Sequence, residues 1–312
     1  MKICVLGAGA LGCAIGGVLT EGGNEVWLVN RGQAHVDAMK LHGLVMRDQG
    51  VDRVVQVRAT TDCREIATTA GPVDLIIVLV KSFHTRAAIQ AALPIVGENT
   101  VVMSLQNGLG NEDTLAEVVG RSKVLAGKTY AGGVMLGLGQ IIVGIRGKET
   151  HIGELDGGLT ERASLIADTF NRAGLVATVS ANIIGTMWDK LLINVATGAL
   201  SGITRLPYGE LYKVPEVEAC AIAAVAEAIA VARTSGIALS ITEPRQPWIM
   251  AAAGLPPEFK ASMLQSLEKG SVTEIDYING AVVRQGAKVG VPTPVNQALV
   301  ACIKGVEQGL RC

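Results

Sequence analysis

The sequence predicts an α/β chain whose first half alternates strands with helices and whose second half is all helical. Three observations carry this. Short apolar runs recur through residues 1–180, separated by helix-like stretches, as in an open parallel sheet covered by helices. One run, DLIIVLV at 74–80, is apolar after its first residue and bounded by Gly71-Pro72 and Lys81, as a strand buried on both faces should be. Beyond Ala181 the texture changes to long helical stretches punctuated by Pro and Gly. Hydrophobic residues make up 49% and aromatics only 3%, so Ala, Val, Ile and Leu must fill the core.

Taken in order, residues 2–6 read as a strand, 11–20 as a helix and 25–29 as a second strand. Residues 54–57 read as the third strand, followed by 74–80 and 100–105. Residues 140–145 and 150–152 read as extra strands near Gly-rich turns. The helical half reads as 182–200, 214–235, 257–269, 273–289 and 294–309. The expected domains are 1–181 and 182–312.

Lys+Arg is 27 against Asp+Glu 28, a net charge of −1, and no basic stripe is present, which argues against a nucleic-acid partner. Residues 3–20 carry no charge and follow Lys2, as in a leader or a membrane span. Gly7, Gly9, Gly12 and Gly16, and the strand-like segment that follows, argue against both. Cys4, Cys13, Cys63, Cys220, Cys302 and Cys312 show no CxxC or zinc-ligand spacing. They read as reduced thiols of a cytoplasmic protein, with no metal site expected.

Gly7-Ala8-Gly9-Ala10-Leu11-Gly12 is a G-x-G-x-x-G run between the first strand and the first helix, the setting in which such a loop binds a dinucleotide. The first glycine makes the tight turn, the second lets backbone approach a pyrophosphate, and the third lets helix pack on strand. The helix N-terminus favours the anion. The first half therefore reads as a Rossmann-type dinucleotide-binding domain. The second strand ends at Val29-Asn30-Arg31, where an NAD-selective site would place Asp or Glu for the ribose 2′-hydroxyl. Asn30 can donate to a phosphate oxygen and Arg31 can neutralise one, which favours NADP(H). The alternative is that Arg31 is a solvated loop cation.

Lys81 and Asn107 close two apolar strands, at the sheet end where open α/β folds bind ligands. An ordinary strand-end lysine and an Asn-Gly turn are the alternatives. Lys190 and Asn194 lie four apart on one face of an otherwise apolar helix. They read as a polar pocket, or as a lysine snorkelling at a core edge. Ser262 and Glu274 sit in SML and TEIDYING, where capping or a surface ion pair is the alternative.

Together these segments resemble the ketopantoate reductase family (2-dehydropantoate 2-reductase) along the whole chain. The matching motifs are GAGALG at 7–12, Lys81 after DLIIVLV, QNG at 106–108, HIGE at 151–154, Lys190-x-x-x-Asn194, SML at 262–264 and TEIDYING at 273–280. The last three are the most specific. The resemblance implies NADPH, held by Gly7, Ala8, Gly9, Ala10, Leu11, Gly12, Lys81, Asn107, Ala131 and Glu274, with Arg31 at the 2′-phosphate. It implies Lys190 as the proton-donating lysine and Asn194 and Ser262 as substrate-binding residues. The implied reaction is hydride transfer to the 2-oxo group of 2-dehydropantoate, giving pantoate for pantothenate and coenzyme A biosynthesis.

Two positions depart from the family pattern. Better-known members carry asparagines where this chain has Gly198 and Tyr208. A related NADPH-dependent reductase of another small 2-oxo acid therefore stays open, with a non-catalytic NADPH-binding regulator as a third reading. The expected partner is a small 2-oxo acid, not a membrane. The alanine-rich stretch 220–232 reads as core, with a homodimer face as the alternative.

Overall fold

A computed structural model describes residues 1–310; Cys312 lies outside the described residues. The chain forms two compact units. The first comprises Met1–Gln106 and Asn111–Ile183, and the second Asn107–Gly110 with the chain from Ile184 onward.

The first unit runs β1 (Lys2–Leu6), α1 (Ala10–Glu21), β2 (Glu25–Val29), α2 (Gln33–His42), β3 (Leu44–Asp48), β4 (Val51–Val55), β5 (Arg58–Thr60), α3 (Cys63–Ala70) and β6 (Val73–Val78). It continues with α4 (Thr85–Ala91), β7 (Val96–Ser104), α5 (Asn111–Val119), β8 (Val124–Thr129), β9 (Gly132–Gly137), β10 (Gln140–Gly144), β11 (Thr150–Glu154), α6 (Glu161–Arg172) and β12 (Ala177–Val179). The main sheet has the order β12-β11-β8-β7-β6-β1-β2-β5. Its strands are parallel except that β11 runs antiparallel to β8. The chain winds outward first through β2 and β5, then the other way through β6, β7 and β8. The order therefore reverses between β1 and β6, the switch point at which such sheets bind ligands.

Alternation explains why these strands are apolar throughout. Ile3, Val5, Leu75 and Ile77 enter one core layer with Leu28 and α1 residues. Cys4, Leu6, Ile76 and Val78 enter the opposite layer with Ile66, Ile89 and Leu115. Both faces are covered, so both sets of alternating positions in the central strands β1 and β6 favour apolar side chains.

A second sheet, β4-β3-β10-β9, packs on α1. It corrects the expected third strand: residues 54 and 55 belong to β4, and the strand beside β2 is β5. In β4 only Val55 is buried, while Val51 and Val54 face solvent at the sheet edge. Ala59 and Thr60 of β5 are the buried pair that continues the main sheet beside Leu28 and Val29. The HIGE segment is structural here. Glu154 at the end of β11 takes Arg162 Nε at 2.7 Å and Nη2 at 2.6 Å, and Thr160 Oγ1 at 2.6 Å, tying β11 to α6. Burial alone would raise the Glu154 pKa, but these bonds hold it below the usual carboxylate value.

The second unit is helical: α7 (Ile183–Thr204), α8 (Tyr208–Leu211), α9 (Pro215–Thr234), α10 (Gln246–Ala252), α11 (Ser262–Glu268), α12 (Asn279–Val289) and α13 (Pro294–Gly309). Two expected helices are shorter than read. The stretch 257–269 is helical only from Ser262, because Pro257 is drawn into a turn whose carbonyl accepts the Gly209 amide at 2.7 Å. The stretch 273–289 breaks at Ile278 (φ −107°, ψ −96°), after a 3-10 turn at Ile275–Tyr277. Glu307 of α13 holds the entry to this turn, its Oε1 accepting from Thr273 N at 2.6 Å and Oγ1 at 2.7 Å. The apolar face of α9 is spent inside the unit: Ala221, Ala224, Val225, Ala228 and Ile229 are buried, and α9 packs on α12 and α13. Among the described residues no helix is long and apolar enough to cross a membrane. Cys4, Cys13, Cys63, Cys220 and Cys302 are free thiols.

Candidate active site

Leu6 lies opposite Val29 on one side and Val78 on the other, so three strands end level. The glycine loop, Arg31 and Lys81 leave from these adjacent ends. The three glycines have three distinct duties. Gly7 has φ +101°, and a Cβ there would meet Val80 N at 2.5 Å. A Cβ on Gly12 would collide with the Gly7 carbonyl. A Cβ on Gly9 would meet nothing within 4 Å, so the space above it is open. Gly9 also caps the twelve-residue α1 with no side-chain bond, which leaves the first-turn amides to an outside acceptor. An open cradle at an uncapped helix N-terminus fits a pyrophosphate.

The Gly7 and Ala8 amides donate to the Val29 carbonyl at 3.0 and 2.9 Å, fastening the loop to β2. Asn30 serves the same fastening. Its Nδ2 donates to the Ala8 carbonyl at 2.7 Å and its Oδ1 accepts from Gly32 N at 2.8 Å. The Asn30 side chain thus organises the loop, with one of its two Nδ2 hydrogens given to the Ala8 carbonyl. Arg31 is exposed, with Nη2 at 3.0 Å from His84 Nε2. A guanidinium can only donate, so His84 accepts through Nε2 and is neutral. Burial, then the Arg31 charge, pushes the His84 pKa down. Sequence reasoning passed over His84, whose contact spans 53 residues and leaves no local signal.

Lys81 is exposed and caps the 3-10 turn Ser82–His84 beyond β6. Ala131 follows β8, its amide donating to Thr129 Oγ1 at 3.0 Å. In the QNG segment, Gln106 Nε2 donates to the Val80 carbonyl at 2.7 Å and Thr85 Oγ1 at 2.8 Å. Asn107 belongs with the second unit. There Gly108 has φ +85°, a Cβ on it would meet the Tyr277 backbone oxygen at 2.5 Å, and Leu109 N donates to that oxygen at 2.9 Å. The fold thus ties the Asn107 segment to the one carrying Glu274.

In the second unit Lys190, Asn194 and Gly198 follow one another at single-turn intervals along α7. The first two are half-buried. Met263 of α11 packs on this stripe, its Cε at 3.4 Å from a Cβ built on Gly198. Ser262, the first residue of α11, is exposed beside it in sequence. Glu274 is buried at 8% exposure, and its carbonyl accepts Tyr277 N at 2.9 Å. Tyr208 is buried too. Its hydroxyl bonds Thr197 Oγ1 at 2.9 Å, and its ring meets Phe259 and Tyr212 at 5.1 and 5.6 Å. Burial, partly offset by the Thr197 bond, raises the Tyr208 pKa.

Residues 3–157 match the family model for ketopantoate reductase PanE/ApbA, and 182–307 match the model for its C-terminal part. A 2-dehydropantoate 2-reductase of Pyrococcus horikoshii is 35% identical over 308 residues, covering 98% of both proteins. The crystal structure of a PanE/ApbA family ketopantoate reductase from Ralstonia eutropha JMP134 is 36% identical with TM-score 0.89, covering 100% of both chains. A ternary structure of D-mandelate dehydrogenase with NADH and anilino(oxo)acetate is 29% identical with TM-score 0.90, again covering 100% of both chains.

Proposed function

The chain belongs to the ketopantoate reductase family, and from that premise we propose that it reduces 2-dehydropantoate to pantoate with NADPH. The carrying observation is the pair Lys190 and Asn194, half-buried and one turn apart on one face of α7. When bound, NADPH would supply a hydride to C2 of the substrate. Gly7–Gly12 hold the pyrophosphate with backbone amides, Arg31 and Lys81 meet the 2′-phosphate end, and Asn107, Ala131 and Glu274 complete the cofactor contacts. As negative charge grows on the carbonyl oxygen, the Lys190 ammonium hydrogen-bonds it and delivers the proton. Asn194 and Ser262 orient the substrate and so select the face attacked. The strand-rich unit is then the cofactor domain and the helical unit the substrate domain. Free thiols support a cytoplasmic location.

A second reading has its own support. Gly198 offers no side chain, and the Tyr208 hydroxyl is committed to Thr197. Two polar contacts that would recognise pantoate's hydroxyl are therefore missing, which favours another small 2-oxo acid. The likeness to a dehydrogenase bound to an aryl-bearing oxo acid points the same way. Loss of NADPH absorbance with 2-dehydropantoate, beside NADH and a panel of 2-oxo acids, separates the readings. Selective turnover of 2-dehydropantoate supports the first. Faster turnover of a bulkier, less polar acid supports the second. NADPH binding with no turnover of any would overturn both.

A further inference from the structure

The Ala8 carbonyl inside the glycine loop is held by three side chains. Asn30 Nδ2 lies at 2.7 Å, His35 Nε2 at 3.1 Å and Cys13 Sγ at 3.3 Å. Of these only His35 bonds the turn between β9 and β10: its Nδ1 accepts the Gly139 amide at 3.0 Å. A backbone N–H can only donate, so Nδ1 is bare and Nε2 carries the proton. His35 is therefore neutral, with both ring nitrogens satisfied, and it is 6% exposed.

The hairpin at its far side is close-packed on the same loop. A Cβ on Gly133 of β9 would meet the Ala10 carbonyl at 3.0 Å. Gly139 has φ +69° and sits against Ala38 of α2. Ala131 immediately precedes this hairpin. One imidazole thus joins the phosphate-binding backbone to the strand pair that follows a second cofactor position.

We propose that His35 is a positioning residue for dinucleotide binding: its neutral ring couples the Ala8 carbonyl to the Gly139 amide, and affinity depends on both bonds. The proposal rests on the dinucleotide-binding reading of the loop. Protonation would place an N–H at Nδ1 against the Gly139 N–H and remove that amide's acceptor. Burial keeps the ring's pKa below its ordinary value of 6.5, with the Ala8 bond opposing. The ring is therefore neutral at neutral pH, and the coupling is lost only as pH falls through the depressed value.

Other ionisable groups near it are accounted for. The facing one is the Cys13 thiol of α1, at 3.6 Å, neutral with its pKa pushed up to about 12 by burial. Charged groups of the packed elements are engaged elsewhere: Glu21 of α1 with Arg53, Arg47 and Asp48 of β3 with Asp52 and Arg146, and Arg58 of β5 with Glu25. On α2 itself, Asp37 bonds Gln33, Lys40 pairs with Glu65, and His42 is exposed at the last turn.

The test is NADPH fluorescence titration of wild type, His35→Gln and His35→Leu at about pH 7.5 and about pH 4.5, the lower value lying well below an ordinary imidazole. Melting temperatures at both values confirm folding. Gln can accept at Oε1 and donate at Nε2 without titrating, so it should bind like wild type at the higher pH and lose several-fold less affinity at the lower. Titration of the 2′-phosphate affects both proteins equally. Leu removes both bonds and should weaken NADPH about tenfold at either pH. Coincident pH profiles for wild type and His35→Gln, or wild-type affinity in folded His35→Leu, would overturn the proposal. Failure of wild type to bind NADPH at the higher pH would sink the dinucleotide reading itself, and this proposal with it.

Discussion

The glycine loop and the α7 face are built from different materials. The loop is backbone: Gly7 turns, Gly9 leaves room, Gly12 lets the helix in, and Ala8's carbonyl is clamped from behind. The α7 face is side chains: Lys190 and Asn194 one turn apart, followed by Gly198, on which a Cβ would lie 3.4 Å from Met263 Cε. A backbone site tolerates almost no substitution yet says little about chemistry, because any phosphate-bearing dinucleotide suits it. A side-chain site accepts substitution readily, and each exchange changes what is bound or done. Variation within one family should therefore collect in the second region.

The sharpest way to break this contrast is Lys190→Ala. It should lower turnover about 10²–10⁴-fold while NADPH affinity, read by fluorescence, barely moves. Near-normal turnover would remove Lys190 from the chemistry. Next come two substitutions in the loop that differ only in where the new methyl points. Gly7→Ala combines a strained φ with a backbone collision, so it should lower the melting temperature and weaken NADPH about 10–100-fold. Gly9→Ala meets nothing in the protein. It should leave the melting temperature unchanged and still weaken NADPH, because the methyl fills the space a pyrophosphate needs. Equal effects on stability would mean that the loop is a structural turn only.

Gly198→Asn sharpens the other side. Its Cβ is accommodated at 3.4 Å from Met263 Cε, and the amide restores a hydrogen-bonding group one turn past Asn194. The ratio of kcat/KM for 2-dehydropantoate over an unhydroxylated 2-oxo acid should rise about fivefold. No change would place this position outside the substrate's reach.

The smallest effect concerns Glu112 in the first turn of α5. It is 5% exposed, and its Oε1 has no hydrogen-bond partner. Burial raises its pKa from 4.5 to about 7, against bonds to its own amide and Ser104 that lower it. Between these values the unfolded chain binds fewer protons than the folded one, so stability falls as pH rises across that window. Glu112→Gln should remove this loss, raising the melting temperature by about 3 °C above neutral pH and by almost nothing near the lower value. Equal shifts at both ends would show that the carboxyl does not titrate on unfolding.

How much was legible follows the same division. DLIIVLV and GAGALG announce β6 and the loop because their patterns are local and both sheet faces are buried. Of the β4-β3-β10-β9 sheet, β10 and the end of β4 were legible as strands but the rest was hidden, since Val51, Val54, Val134 and Met135 face solvent and break the usual alternation. The break at Ile278 was invisible because Glu307, which holds the entry to that turn, lies 34 residues from Thr273. The fastening role of Asn30 was not legible because its acceptor, the Ala8 carbonyl, carries no sequence signature. His35 gave no sign, with partners 27 and 104 residues away. On α7, spacing showed that Lys190 and Asn194 share a face, whereas their roles came only from family resemblance.

The placement of Asn107–Gly110 has a consequence for how such proteins change over time. Because these four residues belong with the helical unit, the backbone passes between units at 106–107, at 110–111 and again near 183–184. Two bodies joined by one linker can be exchanged by a single recombination event. Here a helical half exchanged at a join near 183 must also present a backbone carbonyl where Tyr277 now meets the Leu109 amide, so the 107–110 segment constrains which halves can be combined.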